Sequence, residues 1–248
     1  MIAIAELQSA LAQGKIQEYQ CQENLNLYDS PALEQLATQA IAKRHVKIHS
    51  NPLTASGDPE SALLVSLCED SYPGWMAIDD LATLVPAAAP YEAIERSPEE
   101  IQARLPQVLE YAHQAMDHPN YYLWGGTVPP NYDCSGLVQA AFASAGIWLP
   151  RDSYQQEAFV DPISVSALQL GDLVFFGTPE RCSHVGIYIG DDRYIHSSGK
   201  EQGRNGIGID RLSLEGDAIS QAYYQQFRGA GRVVTSYRPV EPFATRSS

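Results

Sequence analysis

The stretch Asp133-Cys134-Ser135-Gly136, running straight into Leu137-Val138-Gln139-Ala140-Ala141, constrains this chain more than any other. A cysteine between Asp and Ser-Gly, directly before an apolar run of helical character, sits in the first turn of a helix. The positive end of the helix dipole favours a thiolate there, which is one way a protein turns an inert side chain into a nucleophile. A lone cysteine is more commonly a small buried core residue. The assignment therefore depends on the residues around Cys134 and on those further along the chain.

The chain beyond the cysteine helix is rich in strands. Ala167–Gly177 reads as an apolar strand introduced by the Gly171-Asp172 turn, and His184–Gly190 and Arg193–Ser198 read as two strands joined at Asp191-Asp192. A hairpin there returns His184 and His196 to the same end of a sheet. A thiol nucleophile needs a base that accepts its proton near neutral pH, and that base needs a third group to hold its orientation. His184 and His196 suit the roles of base and orienter beside Cys134. Upstream, Tyr121-Tyr122-Leu123-Trp124 ends in Gly125-Gly126, which permits a close backbone approach or a positive φ. Helices ahead of an antiparallel meander make an α+β layout.

The part up to about Pro86 has a different texture. Gln17–Cys21, Val46–Ile48, Ala62–Cys68 and Trp75–Ile78 read as short strands, with turns at Asn51-Pro52 and Ser56-Gly57-Asp58-Pro59. Between them, Ser30–Ala42 reads as a helical insertion, with Pro31 in its first turn and apolar residues at helical spacing. Strands this short and dense suggest a small β-barrel. The Pro- and Ala-rich Val85–Tyr91 and the helix-start pattern Ser97-Pro98-Glu99-Glu100 then mark a boundary. The expected organisation is a barrel over 1–86, a linker and helix over 87–104, and a second domain over 105–240.

Thirty Asp and Glu against sixteen Lys and Arg give a formal charge of -14. That balance repels phosphates and anionic lipid surfaces, so neither nucleic acid nor membrane is an expected partner. Cys21, Cys68, Cys134 and Cys182 form no CxxC pair, which argues against a structural zinc site or a redox dithiol. No metal or other cofactor is expected. The opening Met1–Glu6 lacks the basic region of a signal peptide, and no run of eighteen apolar residues occurs. A cytoplasmic, monomeric protein is the expectation.

Several motifs in order carry a resemblance: Tyr122-Leu123-Trp124-Gly125-Gly126, Asp133–Val138, Arg151-Asp152-Ser153, Gly171–Phe176, Ser183–Tyr188 and Tyr194-Ile195-His196-Ser197. From roughly Tyr111 to Val234 the chain resembles the NlpC-type cell-wall cysteine peptidases. The resemblance implies a papain-like fold and cleavage of peptidoglycan stem peptides between γ-linked D-glutamate and a diamino acid such as diaminopimelate. It implies Cys134 as nucleophile, His184 as general base and His196 as the orienting third member. It also suggests Tyr122, beside the Cys134 N–H, as a donor near the oxyanion, and Asp133 and Ser135 as shapers of the D-glutamyl pocket.

The N-terminal part is similar to a bacterial SH3-like barrel, best over Leu67–Met76 with Asn26–Pro31 before it. Barrels of this kind can restrict such enzymes to substrates with a free N-terminal L-alanine. Glu69, Asp70 and Tyr72 are then candidates to meet that ammonium, and a solvated acidic turn is the competing reading. Cys182 reads as an incidental loop thiol, the tryptophans as core, with Trp124 also a candidate substrate platform, and Gly203, Gly206 and Gly208 as bends in a loop on the substrate side. The resulting expectation is a cysteine endopeptidase of cell-wall recycling. A secreted remodelling hydrolase, an idle wall-fragment binding module and an acyl or amide transferase stand as alternatives.

Overall fold

The computed structural model describes residues 4–13, 17–50, 53 and 60–239. It divides into two compact units, Met1–Ala93 with Arg238–Ser248, and Ile94–Tyr237. The turns expected at 51–52 and 56–59 lie outside the described residues.

The first unit opens with helix α1 (Ile4–Ala12), which the strand-and-turn reading did not anticipate. Strands β1 (Glu18–Cys21), β2 (Leu25–Tyr28), β3 (Leu36–Ala40), β4 (His45–Ile48), β5 (Ala62–Leu67), β6 (Pro73–Ala77) and β7 (Leu84–Pro86) come next. Among the described residues they form a seven-stranded sheet in the order β3-β2-β6-β5-β4-β1-β7, antiparallel at each pairing. Its core gathers Leu25, Leu27, Val46, Leu63, Val65, Leu67 and Met76. This is a small SH3-like domain of strands.

The helix expected over Ser30–Ala42 is absent, and β3 occupies its second half. Leu33 adopts φ 58° in the preceding turn, and Leu25 and Leu27 pair with Ala40 and Thr38. Thr38 and Ala40 are buried, so the inward period is two residues. A helix of that length is marginal on its own, and pairing to β2 satisfies the backbone while burying a face.

In the second unit, helix α2 (Pro98–Asp117) starts at a complete capping box. Ser97 Oγ accepts from Glu100 N at 3.3 Å, and the Glu100 carboxylate accepts from Ser97 N at 2.8 Å. The two apolar runs of this region are one helix, continuous through Pro106. A domain start at 105 falls inside that helix, whereas the compact unit begins at Ile94.

Next come β8 (Thr127–Val128), β9 (Asn131–Tyr132), helices α3 (Cys134–Ser144) and α4 (Ser153–Phe159), and strands β10 (Asp161–Ile163), β11 (Leu173–Gly177), β12 (Cys182–Gly190), β13 (Arg193–Ser198) and β14 (Gly206–Arg211). Helix α5 (Ala218–Tyr224) and strand β15 (Phe227–Arg232) close the unit. The larger sheet runs β10-β15-β11-β12-β13-β14 and is antiparallel, with β12 and β13 forming the expected hairpin through Asp191 and Asp192. Val108 and Ala112 of α2 and Val138, Ala141 and Phe142 of α3 pack with Phe175, Val185, Ile187 and Ile195 of the sheet. Each large apolar side chain buried there contributes about 1.5–3 kcal/mol. The result is an α+β unit in which the cysteine helix lies on the sheet that carries both histidines.

Candidate active site

Cys134 is the first residue of α3, and Asp133 is its N-cap. Asp133 Oδ1 accepts from Gly136 N at 2.7 Å, and its Oδ2 accepts from Gly125 N at 2.9 Å. The Arg151 guanidinium closes on the same carboxylate as a fork, with Nη2–Oδ2 at 2.6 Å and Nη1–Oδ1 at 3.1 Å. Arg151 Nη1 also donates to Ser135 Oγ at 2.9 Å. All three residues are buried.

A Cβ at Gly136 would collide with the Gly126 carbonyl oxygen, so glycine lets the 124–126 loop close onto the helix start. Asp133 and Ser135, the residues expected to shape a pocket, engage these groups in holding that junction. Arg151 belonged to a motif of the sequence, but its partner was not legible there.

The thiol differs from the simple helix-dipole expectation. Burial, and then the charge of Asp133, push Cys134 up to about 12. At rest it is a neutral thiol, with Sγ 4.0 Å from the carbonyl oxygen of Ser183 on the strand that carries His184.

His184 Nε2 lies 2.6 Å from His196 Nδ1, and His196 Nε2 lies 2.6 Å from Asp210 Oδ2. With Nε2 committed to His196, Nδ1 is the His184 nitrogen available to a thiol proton. Burial, reinforced by His196 and opposed by Asp210, holds His184 well below the usual histidine range. His196 is also lowered, by burial against the pull of Asp210. Burial alone would raise the Asp210 carboxyl, but hydrogen bonds and charge from His196 and Arg204 outweigh it and hold it below the usual range.

Asp210 is the member that sequence reasoning missed. In the β13–β14 register His196 faces Gly208, which makes Asp210 the diagonal neighbour on the same face. Arg204 Nη2 and Nε donate to Asp210 at 2.5 and 3.3 Å, and Ser220 Oγ donates at 3.2 Å. A Cβ on Gly208 would lie 2.5 Å from Arg204 Nη1 and 2.6 Å from its Cδ. Gly208 is thus a gap in a strand through which Arg204 passes, rather than a loop bend. The bends are Gly203 and Gly206, at φ 94° and 146°. The missed signal was an acid at a buried position of a strand that alternates Gly206, Gly208 and Asp210 inward.

Tyr223 was also missed. Its ring stacks on His184 at 4.4 Å and meets His196 edge-on at 5.0 Å, while its hydroxyl pairs with Ser198 Oγ at 2.8 Å. Burial first, with the nearby Cys134 and Asp133, raises the phenol of Tyr122, so its hydroxyl stays a donor.

Glu69 and Asp70, in the other unit, do not form a solvated turn. Both are buried against Arg44, with Glu69 Oε2–Nε and Asp70 Oδ1–Nη2 each at 3.0 Å. Tyr72 N donates to Asp70 Oδ1 at 3.1 Å, and the Tyr72 side chain is half-buried. Cys182 is a buried strand residue whose Sγ lies 3.3 Å from the His184 carbonyl oxygen, not a loop thiol. Trp124 is 63% exposed rather than core. Among the described residues no group of three or more His, Cys, Asp or Glu side chains is placed to hold a metal. No helix among them is long and apolar enough to cross a membrane.

A cysteine at a helix N-terminus, packed on an antiparallel sheet that presents a histidine relay, defines the papain-like class of α+β domains. Residues 119–228 match the NlpC/P60 family, and residues 27–81 match the bacterial dipeptidyl-peptidase Sh3 domain. The chain therefore carries an NlpC/P60 domain preceded by a bacterial SH3 domain.

Over 112 residues it is 39% identical to "Probable endopeptidase p60" of Listeria seeligeri, covering 45% of this chain and 19% of that one. Over 81 residues it is 47% identical to "Bifunctional muramidase/DL-endopeptidase CwlT" of Bacillus subtilis (strain 168), covering 31% and 25%. The chain thus spans about a fifth of the length of the curated relatives it matches. Among solved structures, an NlpC/P60 family protein from Bacillus cereus ATCC 10987 aligns at TM-score 0.47 and 21% identity, covering 92% of this chain and 66% of that one.

Proposed function

We propose that the protein is a cysteine endopeptidase that hydrolyses the γ-D-glutamyl to diaminopimelate bond of peptidoglycan stem peptides. The observation that carries this reading is the His184–His196–Asp210 relay beside Cys134. The endopeptidase names of the relatives support the reaction class.

In the mechanism, His184 Nδ1 takes the thiol proton as Sγ attacks the γ-carbonyl carbon of the D-glutamyl residue. A resting neutral thiol makes this a coupled proton transfer and attack, since no thiolate is stored beforehand. The Tyr122 hydroxyl and the Cys134 N–H donate to the oxygen where charge develops. The C–N bond then breaks, the leaving amine takes the proton back from His184, and water hydrolyses the thioester to restore the thiol.

Preference for a free N-terminal L-alanine goes with this reading. The match of residues 27–81 to the bacterial dipeptidyl-peptidase Sh3 domain supports that preference. Recycling of free stem peptides in the cytoplasm completes the proposal, and fractionation of cells with an antibody to the chain tests that location. The reaction is tested by incubating the protein with L-Ala-γ-D-Glu-diaminopimelate and with its N-acetylated copy, with products identified by mass. Cleavage of the free peptide, lost in Cys134→Ser, is the expected result. Cleavage of neither peptide sinks the hydrolase, and equal rates on both sink the amine preference.

A further inference from the structure

We propose that Asp210 is a positioning residue that acts through two imidazole rings, fixing their tautomers so that His184 presents the bare Nδ1 nitrogen as the base. The proposal rests on the cysteine peptidase reading only for its catalytic consequence. The relay itself is a property of the fold.

The relay is a chain of donors and acceptors. A neutral imidazole carries one N–H and one lone pair, and an ionised carboxylate can only accept. Asp210 Oδ2 lies 2.6 Å from His196 Nε2, so that nitrogen carries hydrogen. His196 Nδ1 is then bare and can only accept. His184 Nε2, 2.6 Å from it, must therefore donate, because two lone pairs at that distance repel. The remaining His184 nitrogen, Nδ1, holds the lone pair.

Arg204 and Ser220 supply three donors to Asp210, which keep the carboxylate ionised and aimed. A doubly protonated His196 would reverse the outcome by donating to both neighbours. Its burial opposes that state. In the reaction the S–H bond breaks and an N–H bond forms at His184 Nδ1. No proton moves along the relay, and the Asp210 charge lies in line with the imidazolium that results.

The substitution Asp210→Asn inverts the relay without changing its shape. Arg204 Nη2 and the Ser220 hydroxyl, whose lone pair is taken by Arg211 N, both donate to Oδ1, so the amide oxygen stays there; the amide NH2 takes the Oδ2 place facing His196 Nε2, at the cost of the 3.3 Å bond from Arg204 Nε. His196 must then donate from Nδ1, His184 Nε2 must accept, and His184 Nδ1 becomes protonated and useless as a base.

Two-bond 15N–1H spectra of the full chain read the tautomers directly. In the wild-type protein His184 and His196 are expected protonated at Nε2 and bare at Nδ1. In D210N both are expected inverted, with kcat on the stem peptide down by roughly 10²–10⁴-fold, by analogy with tautomer reversal in serine peptidases, and KM little changed. Arg204→Gln keeps the carboxylate and, through its amide NH2, one of the two Arg204 donors, so the tautomers stay and kcat falls by about tenfold, the worth of the one hydrogen bond lost.

A merely structural role would lower Tm in both variants and invert neither. A wild-type His184 protonated at Nδ1, or a D210N protein with undiminished kcat, overturns the proposal. If the wild-type protein cleaves no stem peptide, the peptidase reading fails by itself. The rate of Cys134 alkylation by iodoacetamide, followed by peptide mass, then replaces kcat, and an unchanged rate in inverted D210N overturns the base assignment. Should D210N not fold, the wild-type tautomers alone decide.

Discussion

Two aspartate–arginine pairs flank the candidate site, and they act on opposite partners. Asp133–Arg151 lies behind the thiol, and its carboxylate also takes backbone N–H groups from Gly125 and Gly136. Asp210–Arg204 lies behind the imidazoles, and its carboxylate takes a ring nitrogen. The first pair ties down a loop and a helix start, and its negative charge works against thiolate formation. The second pair ties down a titratable ring, and its carboxylate favours the charged form of that ring against burial and Arg204. The same ion pair thus serves architecture on one side and protonation on the other, and what decides is whether the third partner can titrate.

The contrast is broken most forcefully at Arg151. Arg151→Met leaves Asp133 buried without its counter-ion, which costs about 3–5 kcal/mol, or a Tm lower by roughly 6–20 °C for a protein of this size. Thermal melts check this. A Tm within a degree or two of wild type would show that the Asp133 network stands on its backbone donors alone.

A smaller effect separates the two sides by pH. His184 and His196 are both depressed in the fold, so the unfolded chain binds more protons below its ordinary histidine value. The stability they contribute is whole above about pH 6.5 and is lost as pH falls through the folded values, at up to about 1.4 kcal/mol per pH unit for each ring. The Cys134 thiol, near 12, adds no slope there. Urea titrations between pH 7 and pH 5 should show stability falling with acid, and a flat profile would contradict buried neutral histidines.

The smallest expected effect sharpens the imidazole side. Tyr223→Phe keeps the ring stacked on His184 and removes the hydroxyl that pairs with Ser198, costing about 1 kcal/mol with kcat little changed. Tyr223→Leu removes the stack as well, and kcat should fall further than stability does. Equal kcat in the two variants would mean that the ring does not hold His184.

Much of the site was legible because its signals are local. The Asp-Cys-Ser-Gly start of α3, the helix start at Ser97 and the Asp191-Asp192 hairpin each lie within about ten residues of chain, and each forms as read. Ser30–Ala42 misled because its apolar spacing fits a helix, while the partner that makes Leu36–Ala40 a strand is β2, paired 8 to 15 residues back and outside that stretch. The acidic turn misled in the other direction. Nothing near Glu69 and Asp70 announces Arg44, which lies 25 residues before Glu69 and arrives through the pairing of β4 with β5.

The sequence by itself determined the thiol, its place at a helix start, and the hairpin that brings two histidines together, since caps, turns and period-two patterns act through neighbouring residues. The tertiary structure alone decided that Asp210 stands behind His196 and that Asp133 belongs to Arg151. It also decided that the thiol rests protonated. Partner choice across 14 or 18 residues depends on strand register and helix packing. A protonation state depends on how much water the finished fold excludes, which no local stretch of chain contains.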